Sequence, residues 1–284
     1  MATKAATTTK KTTAKKSAAA KTTKTTKTTV TTAPVAATTN TFAGHIQQSV
    51  RSVTLWRALG AELVGTFLLA GVVIAGQGQP IFVLFALVGI VLSIGAISGA
   101  HVNPAITIGA LVTRRIGWLR AVGYILAQCL GAALAFIVLT AFLNGADAVS
   151  AEAAAYGQAA PTLFTAADVA KLTGKEWFIF FAELTGTAVL AFAIANATRE
   201  LQDRVAAAFT AGLGIFIALM IAVSAASYVG ATAIINPAVA IALHAYSWAN
   251  IWPFAIYALA PAIGGVIGFV LYDLLRGKNV PLSK

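Results

Sequence analysis

Six apolar runs, each near the ~20 residues that cross the hydrocarbon core of a bilayer, constrain this chain more than any other feature. They lie at about 57–76, 80–97, 119–143, 176–196, 205–228 and 250–275. A backbone in lipid has no water to bond, so each run is expected to satisfy its own amides as an α-helix. Two further apolar stretches, at about 98–112 and 229–246, are too short to cross. Gly and Pro interrupt both, so they read as re-entrant segments lining a wet path. Only 10% of the residues are charged, against about 25% in soluble domains. The expected fold class is an all-α membrane protein: six transmembrane helices plus two re-entrant half-helices.

The chain repeats itself. Ala61-Glu62-Leu63-Val64-Gly65-Thr66 returns as Ala182-Glu183-Leu184-Thr185-Gly186-Thr187, at an offset of 121. Asn103-Pro104-Ala105 returns as Asn236-Pro237-Ala238 at an offset of 133, which Gly131 and Gly264 also keep. Repeat one spans about 55–143 and repeat two about 176–276. Each holds three spans, an odd number, so the second enters the membrane from the opposite side. An inverted 3+3 repeat of this kind places a shared site near the bilayer midplane.

Charge divides the chain and orients it. Residues 1–40 hold eight lysines and no acid, while the rest holds twelve basic and nine acidic residues, a net of +3. Residues 1–50 read as a disordered Lys/Thr/Ala-rich tail, with too little apolar surface to offset ordering entropy, and residues 51–278 as the membrane domain. The lysines suit anionic lipid headgroups better than nucleic acid, and the tail lacks the apolar stretch of a signal peptide. Arg51, Arg57, Arg114, Arg115, Arg120, Arg199, Arg204 and Arg276 fall on one side of the predicted spans, and Asp147, Glu152, Asp168 and Glu176 on the other. The positive-inside rule then puts both termini in the cytoplasm of a multi-pass protein of a plasma or inner membrane.

Asn is a favoured helix N-cap and Pro a favoured first helical residue. Each triplet therefore reads as the cap and first two positions of a short helix. Inverted symmetry points both helix N-termini at the midplane, each with roughly half a positive charge, an arrangement that opposes cations and protons. The amides of Asn103 and Asn236 can still donate to a neutral molecule. The preceding carbonyls of Gly99, Ala100, His101 and Val102, and of Thr232, Ile234 and Ile235, are expected to line the path. Glu62 and Glu183 lie inside spans, where a carboxylate is costly unless bonded. They are expected to hold re-entrant backbone, with a proton relay as the alternative. His101 is expected to hold its loop, with pore lining or pH gating as the alternative.

These stretches resemble the aquaporin and aquaglyceroporin (major intrinsic protein) family. The matching segments are AELVGTFLL at 61–69, SGAHVNPAITIG at 98–109, AQCLGA at 127–132, AELTGT at 182–187, INPA at 235–238 and PAIGGVIGFVLYDLL at 261–275. The resemblance implies passive flow of water and small neutral solutes, a homotetramer with one pore per subunit, and no cofactor. It also exposes a departure. The family places Arg directly after the second triplet, and here that residue is Val239. The other filter positions fall by count on Val83, Ser224 and Ala233, so the resemblance implies a small, uncharged filter, wider than a strict water pore. The positions that mark subtypes disagree: Ala240 stands where glycerol channels carry Asp, His244 looks glycerol-like, Tyr257 water-like, and Ala258 replaces a usual Trp.

No catalytic set, phosphate-binding glycine loop or metal-ligand cluster occurs, and His45, His101 and His244 are scattered. The expected function is a passive channel for water and small uncharged solutes such as glycerol, urea or ammonia. A coupled secondary transporter also fits inverted repeats, and a structural membrane protein with a vestigial pore is a third class. The lone cysteine, Cys129, reads as a packing residue. Gly131, Gly264, Gly265 and Gly268 read as close-packing points between helices.

Overall fold

A computed structural model describes residues 46–277 except 49, 201 and 249. The Lys-rich tail lies outside the described residues up to residue 45. Residues 46–48 and Val50 are helical. Among the described residues, six helices are long and apolar enough to cross a membrane: α1 (Val53–Ala75), α2 (Pro80–Ser98), α4 (Trp118–Asn144), α6 (Glu176–Ala197), α7 (Arg204–Ser227) and α9 (Trp252–Arg276). Two short helices stand where re-entrant segments were expected, α3 (Pro104–Val112) and α8 (Pro237–Ala242). A one-turn helix, α5 (Ala151–Ala155), lies in the long connection between α4 and α6.

The repeat is visible in the packing. Helix α1 lies on α4 as α6 lies on α9, and α2 meets α7 between the halves. The half-helices cross over, α3 packing on α9 and α8 on α4, so neither half completes its own core. The glycines permit these approaches. A Cβ on Gly131 would strike the Leu63 carbonyl oxygen, and one on Gly264 would strike that of Leu184. Gly265 similarly admits the backbone of Ala105, and Gly268 that of Ala188. With lipid outside, backbone proximity of this kind supplies the attraction that hydrophobic burial supplies in water.

Helix α9 contains a π-helical stretch at Ala255–Leu259. Its cause is Pro261, which has no N–H for the Tyr257 carbonyl four residues back. The Tyr246 hydroxyl donates to that carbonyl instead, at 3.0 Å. On the arginine-rich side, Asp273 near the end of α9 joins Arg115 (2.7 Å) and Arg199 (2.9 Å). Arg115 also donates to the Ala195 carbonyl and lies over the Phe269 ring. This cluster ties the end of α3 to those of α6 and α9.

Candidate functional site

The two triplets form the centre of the site. Asn103 caps α3, its Oδ1 accepting from the Ala105 N–H at 2.8 Å. Asn236 caps α8 in the same way, accepting from Ala238 (3.0 Å) and Val239 (3.3 Å). Pro104 and Pro237 occupy the first turn, where a missing N–H costs nothing. Each Asn then reaches across to the other half. Asn103 Nδ2 donates to the Ile235 carbonyl and Asn236 Nδ2 to that of Val102, both at 2.9 Å. An amide NH2 carries two hydrogens, so each retains one for a passing molecule.

Two carboxylates hold the loops before the caps. Glu62 accepts from the N–H groups of His101 (2.9 Å) and Val102 (2.7 Å). Glu183 accepts from those of Ile234 and Ile235. Both acids are fully buried, and each bonds two successive backbone N–H groups. Aiming two successive N–H groups at one carboxylate bends the chain. Val102 has φ 42° and Ile235 has φ 52°, left-handed values that β-branched residues rarely adopt. Gly65 and Gly186, the glycines of the repeated AELxGT segments, give these two side chains room. A Cβ on Gly65 would come 2.7 Å from Val102 Cγ1, and one on Gly186 2.9 Å from Ile235 Cγ2. The AELxGT signature therefore works as one device, its Glu holding the strained loop and its Gly clearing space beside it.

Three of the seven carbonyls expected along the path already accept a hydrogen bond. Those of Val102 and Ile235 accept from the crossing asparagines, and that of Thr232 from the Tyr257 hydroxyl at 3.0 Å. A carbonyl oxygen has two lone pairs, so each keeps one. Gly99 and Ala100 line one cavity, and Thr232 and Ile234 another. His101 is buried, with Nδ1 3.2 Å from Thr107 Oγ1 and its ring edge-on to Tyr124.

Cavities lie at the two ends of α2. One, of about 270 Å³, sits on the acidic side and reaches Asn236. Val83, Ala233 and Val239 line it. Ser224 does not. It is exposed on the outer face of α7, and Val223 and Leu219 line the cavity instead. Ala222 and Ala226 point inward, and two residues along a helix turn the side chain by about 200°. The other cavity, of about 310 Å³, opens on the arginine-rich side between α2 and the ends of α6 and α7.

The subtype positions do not converge. Ala240 is buried in α8, His244 is exposed against Phe136, Tyr257 bonds the re-entrant loop, and Ala258 is half-buried in the π-helical stretch. Sequence reasoning missed Gln128, which donates to Glu62 (2.8 Å) and to Thr107 (3.0 Å). It also missed Phe164, which reaches the acidic-side cavity from the α4–α6 connection. A polar residue inside an apolar span was a readable signal for Gln128; a loop phenylalanine carried none.

The profile of the family described as major intrinsic protein matches residues 49–272. The chain belongs to the major intrinsic protein family. It is similar to the lens fiber major intrinsic protein of Homo sapiens, at 34% identity over 80% of this chain and 83% of that one. It is also similar to aquaporin Z of Photorhabdus laumondii, at 31% identity over 78% of this chain and 99% of that one. The X-ray structure of the aquaglyceroporin from Plasmodium falciparum shares the fold, with a TM-score of 0.56 at 20% identity, covering 77% of this chain and 95% of that one. As a major intrinsic protein, the chain is a multi-pass membrane channel for water or small solutes and not an enzyme.

Proposed function

We propose that this major intrinsic protein passes water together with small uncharged solutes such as glycerol, urea or ammonia, through a filter that bears no charge. One observation carries the reading: none of the residues lining the acidic-side cavity is ionisable, while the Asn236 amide lies at its edge. Val239 stands where the resemblance implies Arg, so no fixed positive charge guards this mouth. An ion entering this cavity gives up hydration and meets no opposite charge in return, whereas a neutral solute gives up less. Exclusion of ions therefore rests on desolvation and on the half-helix ends. In this reading the arginine-rich side is cytoplasmic and the acidic-side cavity is the outer mouth. The subunits form homotetramers in a plasma or inner membrane, and the lysine tail contacts anionic lipid.

Vesicles carrying the full chain are expected to swell faster than empty ones in water, glycerol and urea gradients, with low activation energy. Solute flux no greater than in empty vesicles, alongside fast water flux, would reduce the reading to a water channel. Loss of both fluxes would sink it.

A further inference from the structure

The membrane helices wall the acidic-side cavity with aliphatic side chains, among them Leu69 and Val73 of α1, Val83 of α2 and Leu219 of α7. The α4–α6 connection adds an aromatic one. Among the residues lining this cavity, Phe164 is the one aromatic side chain. Three hydrogen bonds hold its segment over the mouth. The Ala166 N–H donates to the Leu243 carbonyl (2.9 Å), the Ala167 N–H donates to Thr232 Oγ1 (3.0 Å), and Gln77 Nε2 donates to the Thr162 carbonyl (3.4 Å). The first two partners flank the second triplet, and the third sits in the α1–α2 turn. Leu163 packs against the apolar core under α8, and Val169 is buried within it. The segment is therefore bonded and packed on both sides of the ring.

The opposing turn is shaped around the same ring. Gly78 has φ 68°, and a Cβ there would come 2.7 and 2.8 Å from two Phe164 ring carbons. Only a residue without a side chain lets the ring approach so closely. Gln77 and Gln79, on either side, also line the cavity.

We propose that Phe164 is a specificity-determining residue of this channel: its ring sets the upper size of neutral solute admitted at the outer mouth. The inference deepens the reading of an uncharged solute pore and rests on it. The ring is flat, apolar and held by backbone, so it narrows the passage without attracting ions or donating a hydrogen bond. Thr232 lines the same cavity and also holds the segment, since its hydroxyl receives the Ala167 N–H.

The test uses the full chain in vesicles, with water, urea and glycerol as probes. Phe164→Ala should raise glycerol and urea flux relative to water by about tenfold, equivalent to about 1.4 kcal/mol of barrier. Phe164→Trp should lower the same ratio, and Thr232→Val should raise it by less than Phe164→Ala does. Tyr156→Ala, an exposed position in the same connection, should leave the ratio unchanged. A wild-type ratio in Phe164→Ala, with water flux retained, overturns the inference while leaving the channel reading intact. Failure of the unsubstituted chain to pass any probe overturns the channel reading instead. Should Phe164→Ala fail to fold, Phe164→Cys in a Cys129→Ser chain gives a second readout. A membrane-impermeant thiol reagent should then block glycerol flux, and unblocked flux after complete labelling overturns the inference.

Discussion

The two re-entrant segments share a plan and differ in how they are secured. Each has a left-handed β-branched residue, an Asn cap, a Pro in the first turn and a glutamate receiving two backbone N–H groups. The first adds a polar layer: His101 meets Thr107, and Gln128 joins Thr107 to Glu62. At the repeat offset of 133, the second half carries Ile234, Ala240 and Pro261 in those places, all apolar. Its half-helix is also shorter, six residues against nine. The same geometry can therefore stand on two backbone bonds alone. The polar layer bonds one half, and the other half meets the acidic-side cavity, whose lining bears no ionisable group. That asymmetry matches the division proposed above, in which the second segment builds the filter.

Four substitutions test the comparison. The largest effect is expected at the glutamates. Glu183→Ala strands two buried N–H groups, at about 1–3 kcal/mol each. Glu62→Ala strands the same pair and the Gln128 amide as well, so it should unfold at the lower temperature. Thermal midpoints in detergent check this, and equal midpoints would break the asymmetry. Next comes Gln128→Leu, which gives the first segment the apolar support of the second. It should cost about 1.5–3 kcal/mol, the range for a hydrogen bond to a charged group, and leave water flux almost unchanged. A collapse of flux would show that the polar layer acts in permeation.

The smallest expected effect concerns the filter. Val239→Arg places a long, charged side chain in the outer cavity, and should cut glycerol flux relative to water by about tenfold, or about 1.4 kcal/mol. Equal loss of both fluxes would contradict the proposed filter.

Much of the site was legible in the chain because its parts are local. A cap and its proline are neighbours, so the two triplets announced their half-helices. Gly65 and Gly186 lie three residues after Glu62 and Glu183, one helical turn away, so each AELxGT segment carries the glutamate and its glycine together. Ser224 shows the limit. Its place was counted across the turn at Gly230, and a helix converts a short miscount into the opposite face. The carbonyls of Val102 and Ile235 show another, since their partners lie 134 and 132 residues away.

What the sequence determined by itself follows from composition and short-range chemistry: six spans, two interrupted segments, an inverted repeat and an uncharged residue after the second triplet. Lipid leaves the backbone few ways to satisfy its amides, so a pattern of apolar runs is nearly a topology. Only the tertiary structure decided which polar groups remain unpaired. It crossed the two asparagines, placed Gln128 on Glu62 and not on Glu183, turned Ser224 outward and brought Phe164 to the acidic-side cavity. Each of these depends on groups distant in the chain meeting within about 3–4 Å, the range of hydrogen bonds and side-chain packing.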